Sequence, residues 1–438
     1  MTLTFDAAII GTGQAGPSLA NRLTAAGMRV AVFERGRFGG TCVNTGCMPT
    51  KTLVASAYAA HIARRASEYG IDIDAPVRID MKKVKARKDR VSDTATANIE
   101  AWLRSMPGCT VFQGQARFLS PQEIVCGATR IIADKIFINV GGRALVPEIP
   151  GLQDVAFLTN ETIMNLDTVP RHLIVLGGSY IGLEFAQVFR RFGSDVTVIE
   201  AAPRLVPRED DDVSGTIKEI LELEHIDVRL GTRCTGVARE PGGVRLTLQT
   251  PAGPAAVAGS HLLLAIGRRP NTDDLGLELA GVEVDQAGYI RTDNELRTNV
   301  AGIWALGDCN GRGAFTHTSY NDFEIVAANL LDQDRRRASD RIPTYGVFID
   351  PPLGRVGMSE REARAAGHRI LIGTRPMTRV GRAVEKGETL GFMKIIVDAE
   401  TKKLLGAAIL GTSGDEAVHA ITATMYAGLH IPPCRGRC

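Results

Sequence analysis

Short apolar runs alternate with helical patterns along the chain, and one arrangement of them occurs twice. The run Ala7-Ala8-Ile9-Ile10 predicts a buried strand; a glycine turn, a helical pattern and a second apolar strand ending at Glu34 follow it. The same order returns with a strand at Leu173–Leu176, a glycine turn, a helix, and a strand at Val196–Ile199 closed by Glu200. Further on, TNVAGIWALGD (Thr298–Asp308) reads as a strand with Gly-Asp at its end. Strands alternating with helices predict parallel sheets and an α/β fold. No apolar run reaches the roughly 18 residues that a membrane helix needs. The start, Met1–Asp6, lacks a basic segment and runs into the first strand, so neither a signal nor a transit peptide is expected.

Composition narrows this picture. The 438 residues carry 51 Lys and Arg against 49 Asp and Glu, for a net charge of +2. That length suggests two to four domains, and a balance so near neutral gives no reason to expect nucleic acid or a membrane as partner. The densest basic run, Lys82–Arg90, is expected to be a solvated helix face. Eight cysteines, at 42, 47, 109, 126, 234, 309, 434 and 438, are too thinly spread for a disulfide framework. A cytoplasmic protein is expected, with Cys109, Cys126, Cys234 and Cys309 as small, partly buried residues. The close pair, Cys42 and Cys47, is then catalytic rather than structural.

The glycine turns suggest what that chemistry draws on. Gly11-x-Gly13-x-x-Gly16 follows a strand and opens a helix. Its glycines permit a tight turn, backbone approach to a pyrophosphate, and helix–strand packing, while Glu34 is placed to accept from a ribose hydroxyl. The second turn reads Gly177-Gly178-Ser179-Tyr180-Ile181-Gly182, with Ser179 where the middle glycine would stand. A carboxylate at Glu200 bonds a 2′-hydroxyl and repels a 2′-phosphate, which favours NAD(H) over NADP(H); Arg204 nearby works against that preference. Two such folds imply two dinucleotides.

With these signals placed, FGGTCVNTGCMPTK (Phe38–Lys51) closely resembles the redox-active disulfide signature of the pyridine nucleotide–disulfide oxidoreductases, a family that includes glutathione reductase, dihydrolipoamide dehydrogenase and mercuric reductase. The resemblance runs from residue 6 to about 428 and takes in GQARF (Gly114–Phe118), AIGRRPN (Ala265–Asn271) and a segment from FIDPPLGRVGMSE to GAAILGTSGDEAVHAI that looks like the family's interface domain. It implies FAD as cofactor, with Gly11, Gly13, Gly16, Glu34, Thr41, Lys51, Ala116, Gly141 and Asp308 as its contacts. Gly177, Gly178, Ser179, Gly182, Glu200 and Gly267 would contact NAD(P). Cys42 and Cys47 would form the redox disulfide, with Cys47 against the flavin as the charge-transfer thiolate and Cys42 exchanging with substrate. Lys51 and Glu184 match the family's pair near the flavin N5. Physical chemistry agrees: Gly39, Gly40 and Gly46 permit an irregular turn, Pro49 suits a first helical turn, and helix amides favour a thiolate.

The resemblance further implies an α/β architecture with two Rossmann-like domains and an α+β interface domain. Residues 1–149 and 271–335 would bind FAD, 150–270 would bind NAD(P), and 336–438 would form the interface of a homodimer. The expected reaction passes electrons from NAD(P)H through FAD and the cysteines to a disulfide or to Hg(II). Val43-Asn44, INVGGRALVPEIPGL and FTHTSYNDFEIVAANLL look most like mercuric-reductase-like flavoproteins; a dihydrolipoamide dehydrogenase-like enzyme is the alternative. The ending LHIPPCRGRC has His430 and Pro432 but not the family's His-Pro-Thr-x-x-Glu pair. It is expected to be a truncation that weakens the dimer and removes an acid/base, which would leave an impaired or redox-sensing flavoprotein as a further alternative. No resident metal site is expected, a Cys434/Cys438 metal-capturing tail being the minority view.

Overall fold

The computed structural model describes residues 1–429; His430, Pro432, Cys434 and Cys438 lie outside the described residues. The chain divides into two compact units. The first comprises Met1–Thr52, Lys85–Leu145 and Gly267–Arg341, and the second Leu53–Val84, Val146–Ile266 and the stretch from Ile342.

The first unit is built on β1 (Thr2–Ile10), α1 (Ala15–Ala25), β2 (Val30–Glu34), α2 (Gly40–Asn44), the start of α3 (Cys47–Arg64) and most of α4 (Met81–Ser105). Next come β3 (Cys109–Gln113), β4 (Ala116–Ser120), β5 (Glu123–Cys126), β6 (Thr129–Ile138) and β7 (Gly142–Ala144). Its last stretch holds β15 (Arg268–Pro270), α7 (Leu277–Ala280), β16 (Ile303–Ala305) and α8 (Thr316–Leu331). The sheet order is β3-β2-β1-β6-β5-β4, with β16 pairing with the last residues of β6 while β5 pairs with its first. β1 lies parallel to both β2 and β6, so that Ile10 stands level with Phe33 and Ile138. The predicted run at residues 7–10 is buried because this parallel core is covered on both faces. β1 also begins earlier, at Thr2, where polar and apolar residues alternate and pair with β6. The strand read over residues 298–308 contracts to Ile303–Ala305, because Gly302 turns the chain at φ +83° and Thr298 bonds back to Ile303.

The second unit carries a parallel sheet of β8 (His172–Leu176), β9 (Asp195–Ile199), β10 (Asp227–Arg229) and β14 (His261–Leu264), with helices α5 (Tyr180–Phe192) and α6 (Asp211–Leu223). Strands β11 (Arg233–Glu240), β12 (Gly243–Thr250) and β13 (Gly253–Gly259) form a small antiparallel sheet. A five-stranded antiparallel sheet follows: β17 (Thr344–Val347), β18 (Leu353–Gly357), β19 (Ile370–Pro376), β20 (Phe392–Asp398) and β21 (Leu404–Leu410), with α9 (Glu360–Ala365), α10 (Gly381–Glu385) and α11 (Gly414–Tyr426). One apolar core runs from α5 and α6 to Leu353, Ala408 and Leu410. Lys394 on β20, almost fully buried, sits 3.2 Å from Asp210, 2.9 Å from Asp212 and 2.9 Å from Glu360. A buried ammonium has three donors to satisfy, and three carboxylates from the starts of α6 and α9 meet them.

The basic run at Lys82–Arg90 is mostly solvated, as its composition suggests, with one exception. Lys88 is buried and pairs with Asp89, which also binds Lys85 at 2.6 Å. Among the described residues no helix is long and apolar enough to cross a membrane.

Candidate active site

The first glycine turn links β1 to α1. Gly11 has φ +103°, and a Cβ there would fall 2.3 Å from the Asn139 carbonyl oxygen; a Cβ on Gly16 would fall 2.5 Å from the Gly11 oxygen. Only glycine fits at either place. The Asn139 amide donates to the carbonyls of Gly11 and Gly13, 3.3 Å each, and so sets the turn from the neighbouring strand end. Glu34 ends β2 nearly buried. Its Oε2 accepts from the Thr12 amide (3.0 Å) and hydroxyl (2.6 Å), and its Oε1 accepts from the Gly36 amide (2.8 Å).

The cysteine stretch is laid against this turn. Gly39 and Gly40 take left-handed conformations, φ +96° and +62°, and a Cβ on Gly40 would stand 2.8 Å from the Gly13 Cα. Cys42 lies on its own short helix, α2, rather than on the irregular turn expected from the glycines. Thr45 and Gly46 break the helix, and Cys47 becomes the first residue of α3. Pro49 therefore falls in the first turn, where its missing N–H leaves no bond unmade. Asn44 steadies α2 by donating to the Phe38 and Gly40 carbonyls at 2.8 and 3.0 Å.

Both cysteines are free, half-buried thiols. Thr316, the first residue of α8, places its hydroxyl oxygen 2.9 Å from Cys47 Sγ and 3.1 Å from Cys42 Sγ. The hydrogen bond between the two sulfurs is the largest influence on each. It holds the Cys42 thiol far above its ordinary range, with burial adding to the effect, and lowers Cys47 to about 6. Burial opposes the lowering at Cys47, while Thr316 and the Lys51 ammonium favour it. A singly deprotonated pair thus carries its charge on Cys47, with the Cys42 thiol donating to it.

Asp308, Thr41, Gly141, Ala116 and Lys51 all belong to this unit. Asp308 lies in the turn after β16, and burial raises its carboxyl pKa against the opposing pull of Arg268, 3.6 Å away. That turn is held by the fully buried Asp322, which accepts from the Gly307 amide (2.8 Å) and the Asn310 side chain (2.9 Å) and pairs with Arg341. Arg268 also donates to the Gly142 carbonyl at 2.5 Å and to the Thr41 hydroxyl at 3.4 Å. Gly141, at φ +63°, has open space where a Cβ would project, and Ala116 is buried at the start of β4. Gly267 also falls in the first unit, at φ +137°, its carbonyl accepting from Leu145.

In the second unit a Cβ on Gly177 would meet the Ala265 oxygen at 2.3 Å, and one on Gly182 would meet the Gly177 oxygen at 2.2 Å. Ser179 precedes α5 without bonding its first-turn amides. Glu200 follows β9; its Oε2 accepts from Gly178 (2.6 Å) and its Oε1 from Ala202 (2.7 Å). Val206 reaches back to donate to the Gly178 carbonyl at 2.9 Å and adopts φ +38°, a strained conformation for a β-branched residue. Arg204 is paired with Asp211. Glu184, buried on α5, accepts from the Phe348 amide at 2.9 Å.

Both glycine turns fit a diphosphate. Neither α1 nor α5 has a side-chain cap or an acidic residue in its first turn, which leaves amides and helix dipole for an outside anion, whereas α6 opens with Asp210, Asp211 and Asp212. Glu34 and Asp308 add acceptors for sugar hydroxyls in the first unit. Thr316, Asn139 and Arg268 were not singled out from the sequence. Thr316 is 269 residues from Cys47, and no local spacing signals the contact.

Residues 5–322 match the family profile described as pyridine nucleotide-disulphide oxidoreductase, and residues 343–434 match the dimerisation domain of the same family. A probable pyridine nucleotide-disulfide oxidoreductase, RclA of Escherichia coli, is 37% identical over 434 residues, covering 97% of this chain and 93% of that protein. A mercuric reductase of Streptomyces lividans is 35% identical, covering 98% and 91%, and a dihydrolipoyl dehydrogenase of Thermus scotoductus is 32% identical, covering 98% and 92%. The solved structure of the HOCl-induced flavoprotein disulfide reductase RclA superposes with a TM-score of 0.88 over 97% of this chain and 94% of that one.

Proposed function

The chain belongs to the pyridine nucleotide–disulphide oxidoreductase family, and from that premise we propose that Cys42 and Cys47 pass two electrons drawn from NADH to a disulfide or to a thiophilic metal ion. Bound FAD supplies the two-electron chemistry between nicotinamide and sulfur. The first glycine turn, Glu34 and Asp308 would hold it, together with Thr41, Ala116, Gly141 and Lys51. The second turn, Glu200 and Gly267 would serve the nicotinamide nucleotide. Residues 1–149 and 271–335 are accordingly the FAD domain and 150–270 the nucleotide domain, while 336–438 is the interface of a homodimer.

The observation that carries this reading is the unequal pair. Two equivalent buried thiols would make a poor relay. Here Cys47, at the start of α3 and beside Lys51, is the thiolate, while Cys42, on the short helix α2, keeps its proton. With a disulfide acceptor, Cys42 Sγ bonds one acceptor sulfur, the acceptor S–S bond breaks, and the departing sulfur takes a proton. Cys47 Sγ then attacks Cys42 Sγ, releasing the second acceptor thiol and closing the Cys42–Cys47 bond; two electrons leave the pair.

A metal acceptor draws on the same sulfurs. One relative is a mercuric reductase, and RclA has been solved as a Cu(II) complex. A metal ion that reaches these sulfurs is read here as a substrate of the pair. The preference for NADH rests on Glu200, whose carboxylate is fixed by two amides, and on Arg204, whose guanidinium is engaged by Asp211 and so withheld from a 2′-phosphate.

Steady-state NADH oxidation with glutathione disulfide, lipoamide, Hg(II), Cu(II) and a quinone tests the reading. Cys42→Ala and Cys47→Ala are each expected to abolish disulfide turnover while quinone reduction survives. Disulfide turnover that persists in either variant overturns it.

A further inference from the structure

The second glycine turn is closed by a loop, residues 201–210, whose far end is built into the antiparallel sheet of the same unit. Both polar backbone groups of Gly178 are fixed: its amide donates to Glu200 (2.6 Å) and its carbonyl accepts from the Val206 amide (2.9 Å). A trans peptide points its N–H opposite its C=O. The Val206 bond therefore also aims the amide of Ser179, the residue just before α5. Val206 makes that bond at φ +38°, a conformation that a β-branched residue keeps only where its surroundings impose it. Here they act through Glu209. Its amide donates to the Val206 carbonyl at 2.8 Å, and its buried carboxylate accepts from the Tyr345 hydroxyl and lies 3.9 Å from Arg355.

Tyr345 on β17 and Arg355 on β18 are cross-strand partners, so one face of the sheet presents both to Glu209. Burial and the Glu209 charge push the Tyr345 phenol above its ordinary range, so it keeps the proton it donates. Arg355 is almost fully buried, and its carboxylate partner among the described residues is Glu209. A shift of Glu209 would leave that guanidinium buried without its counter-charge, which pins the carboxylate in place. From the exposed side Arg361 of α9 donates to the Pro207 and Arg208 carbonyls at 2.9 and 3.3 Å. We propose that Tyr345 and Arg355 are positioning residues for the nicotinamide nucleotide: through Glu209 they hold Val206 in its strained conformation and so keep the amide end of α5 set for a diphosphate. The inference deepens the reading of the second turn as the nucleotide site, and rests on it.

The test separates binding from chemistry. The full-length, FAD-loaded protein is mixed anaerobically with increasing NADH in a stopped-flow spectrometer, which gives the apparent Kd and the limiting rate of flavin reduction separately. Tyr345→Phe, which removes only the hydroxyl, is expected to raise that Kd about tenfold, the scale of one lost hydrogen bond to a charged group, with the limiting rate retained. Arg361→Ala frees the loop from its exposed side without touching the buried cluster, and is expected to raise the Kd about threefold. Val356→Ala trims a buried side chain on the opposite face of β18; it is expected to lower stability and keep the wild-type Kd. Wild-type affinity in Tyr345→Phe, or in Arg361→Ala where the first does not fold, overturns the proposal. So does a Val356→Ala protein that binds NADH as weakly as Tyr345→Phe. Gly177→Ala, run alongside, tells two failures apart. If NADH still reduces it, the nucleotide reading of the turn falls and this inference with it; if NADH does not, while Tyr345→Phe behaves as the wild type, this inference falls alone.

Discussion

The two glycine turns follow one plan and are finished differently. Each has a left-handed first glycine pressed against the carbonyl of a neighbouring strand end, with a strand-terminal glutamate accepting from the turn. The first is locked from several sides: Asn139 ties two of its carbonyls, Thr12 is fully buried against Glu34, and Gly40 stands on Gly13. The second has Ser179 in place of the middle glycine and is steadied by the backbone of Val206, held at a strained φ. A turn locked into a unit's interior suits a nucleotide that stays; one finished by a partly exposed serine and a single strained loop suits a nucleotide that comes and goes.

The most severe way to break the comparison is to put a methyl group into each turn. Gly11→Ala and Gly177→Ala meet the same obstacle, a carbonyl oxygen 2.3 Å from the new Cβ, at left-handed φ values. Each is expected to lower stability by about 2–4 kcal/mol. Gly11→Ala should also purify without flavin, whereas Gly177→Ala should keep its visible absorbance and lose reduction by NADH. A Gly177→Ala protein as colourless as Gly11→Ala would erase the distinction between a resident and a visiting nucleotide.

A second test uses pH, because the titrating chemistry lies beside the first turn. Cys47 is lowered to about 6 chiefly by the bond from Cys42. That bond stabilises the thiolate, so removing it must shift thiolate formation to higher pH. Cys42→Ala is expected to move the alkylation midpoint of Cys47 from about 6 toward the ordinary thiol value of roughly 8.5, with NADH affinity across the same range unchanged. An unshifted midpoint would show that Lys51 and the helix start carry the effect instead.

The mildest test sharpens the second turn. With Glu200 fixed by two amides and Arg204 engaged by Asp211, NADH should be the better reductant. Glu200→Gln is expected to narrow the NADH-to-NADPH ratio of kcat/KM by about 1–2 kcal/mol, the scale of one charge-assisted hydrogen bond. A wild-type preference for NADPH sinks this assignment.

Much of this was legible along the chain, for a definable reason. Glycine turns, strand-end acids and the cysteine pair are local patterns. Gly11 to Glu34 spans a single strand–helix–strand unit, and the contact of Gly40 with Gly13 joins neighbouring segments. Such features are written in spacing, and resemblance to a family reads them. What spacing could not convey was the company those residues keep. Asn139 reaches the first turn from the end of β6, Arg268 comes to Asp308 from a separate two-stranded ribbon, and Thr316 comes to the thiols from α8. Each is an ordinary residue in an ordinary local sequence, given its part only by the fold. The helix carrying Cys42 and the burial of Lys88 escaped for the opposite reason: packing overrode what glycines and a run of basic residues suggest by themselves.

The 269 residues between Cys47 and Thr316 also have a meaning in time. A ribosome adding about 5–20 residues per second needs roughly 13–54 s to travel that distance. Throughout that interval the nascent chain holds both thiols, and the glycines that bend the backbone around them, before the alcohol that stands between the sulfurs has been made. The pair therefore spends its first moments, in whatever redox surroundings the growing chain meets, without the hydroxyl that α8 later brings to both sulfurs.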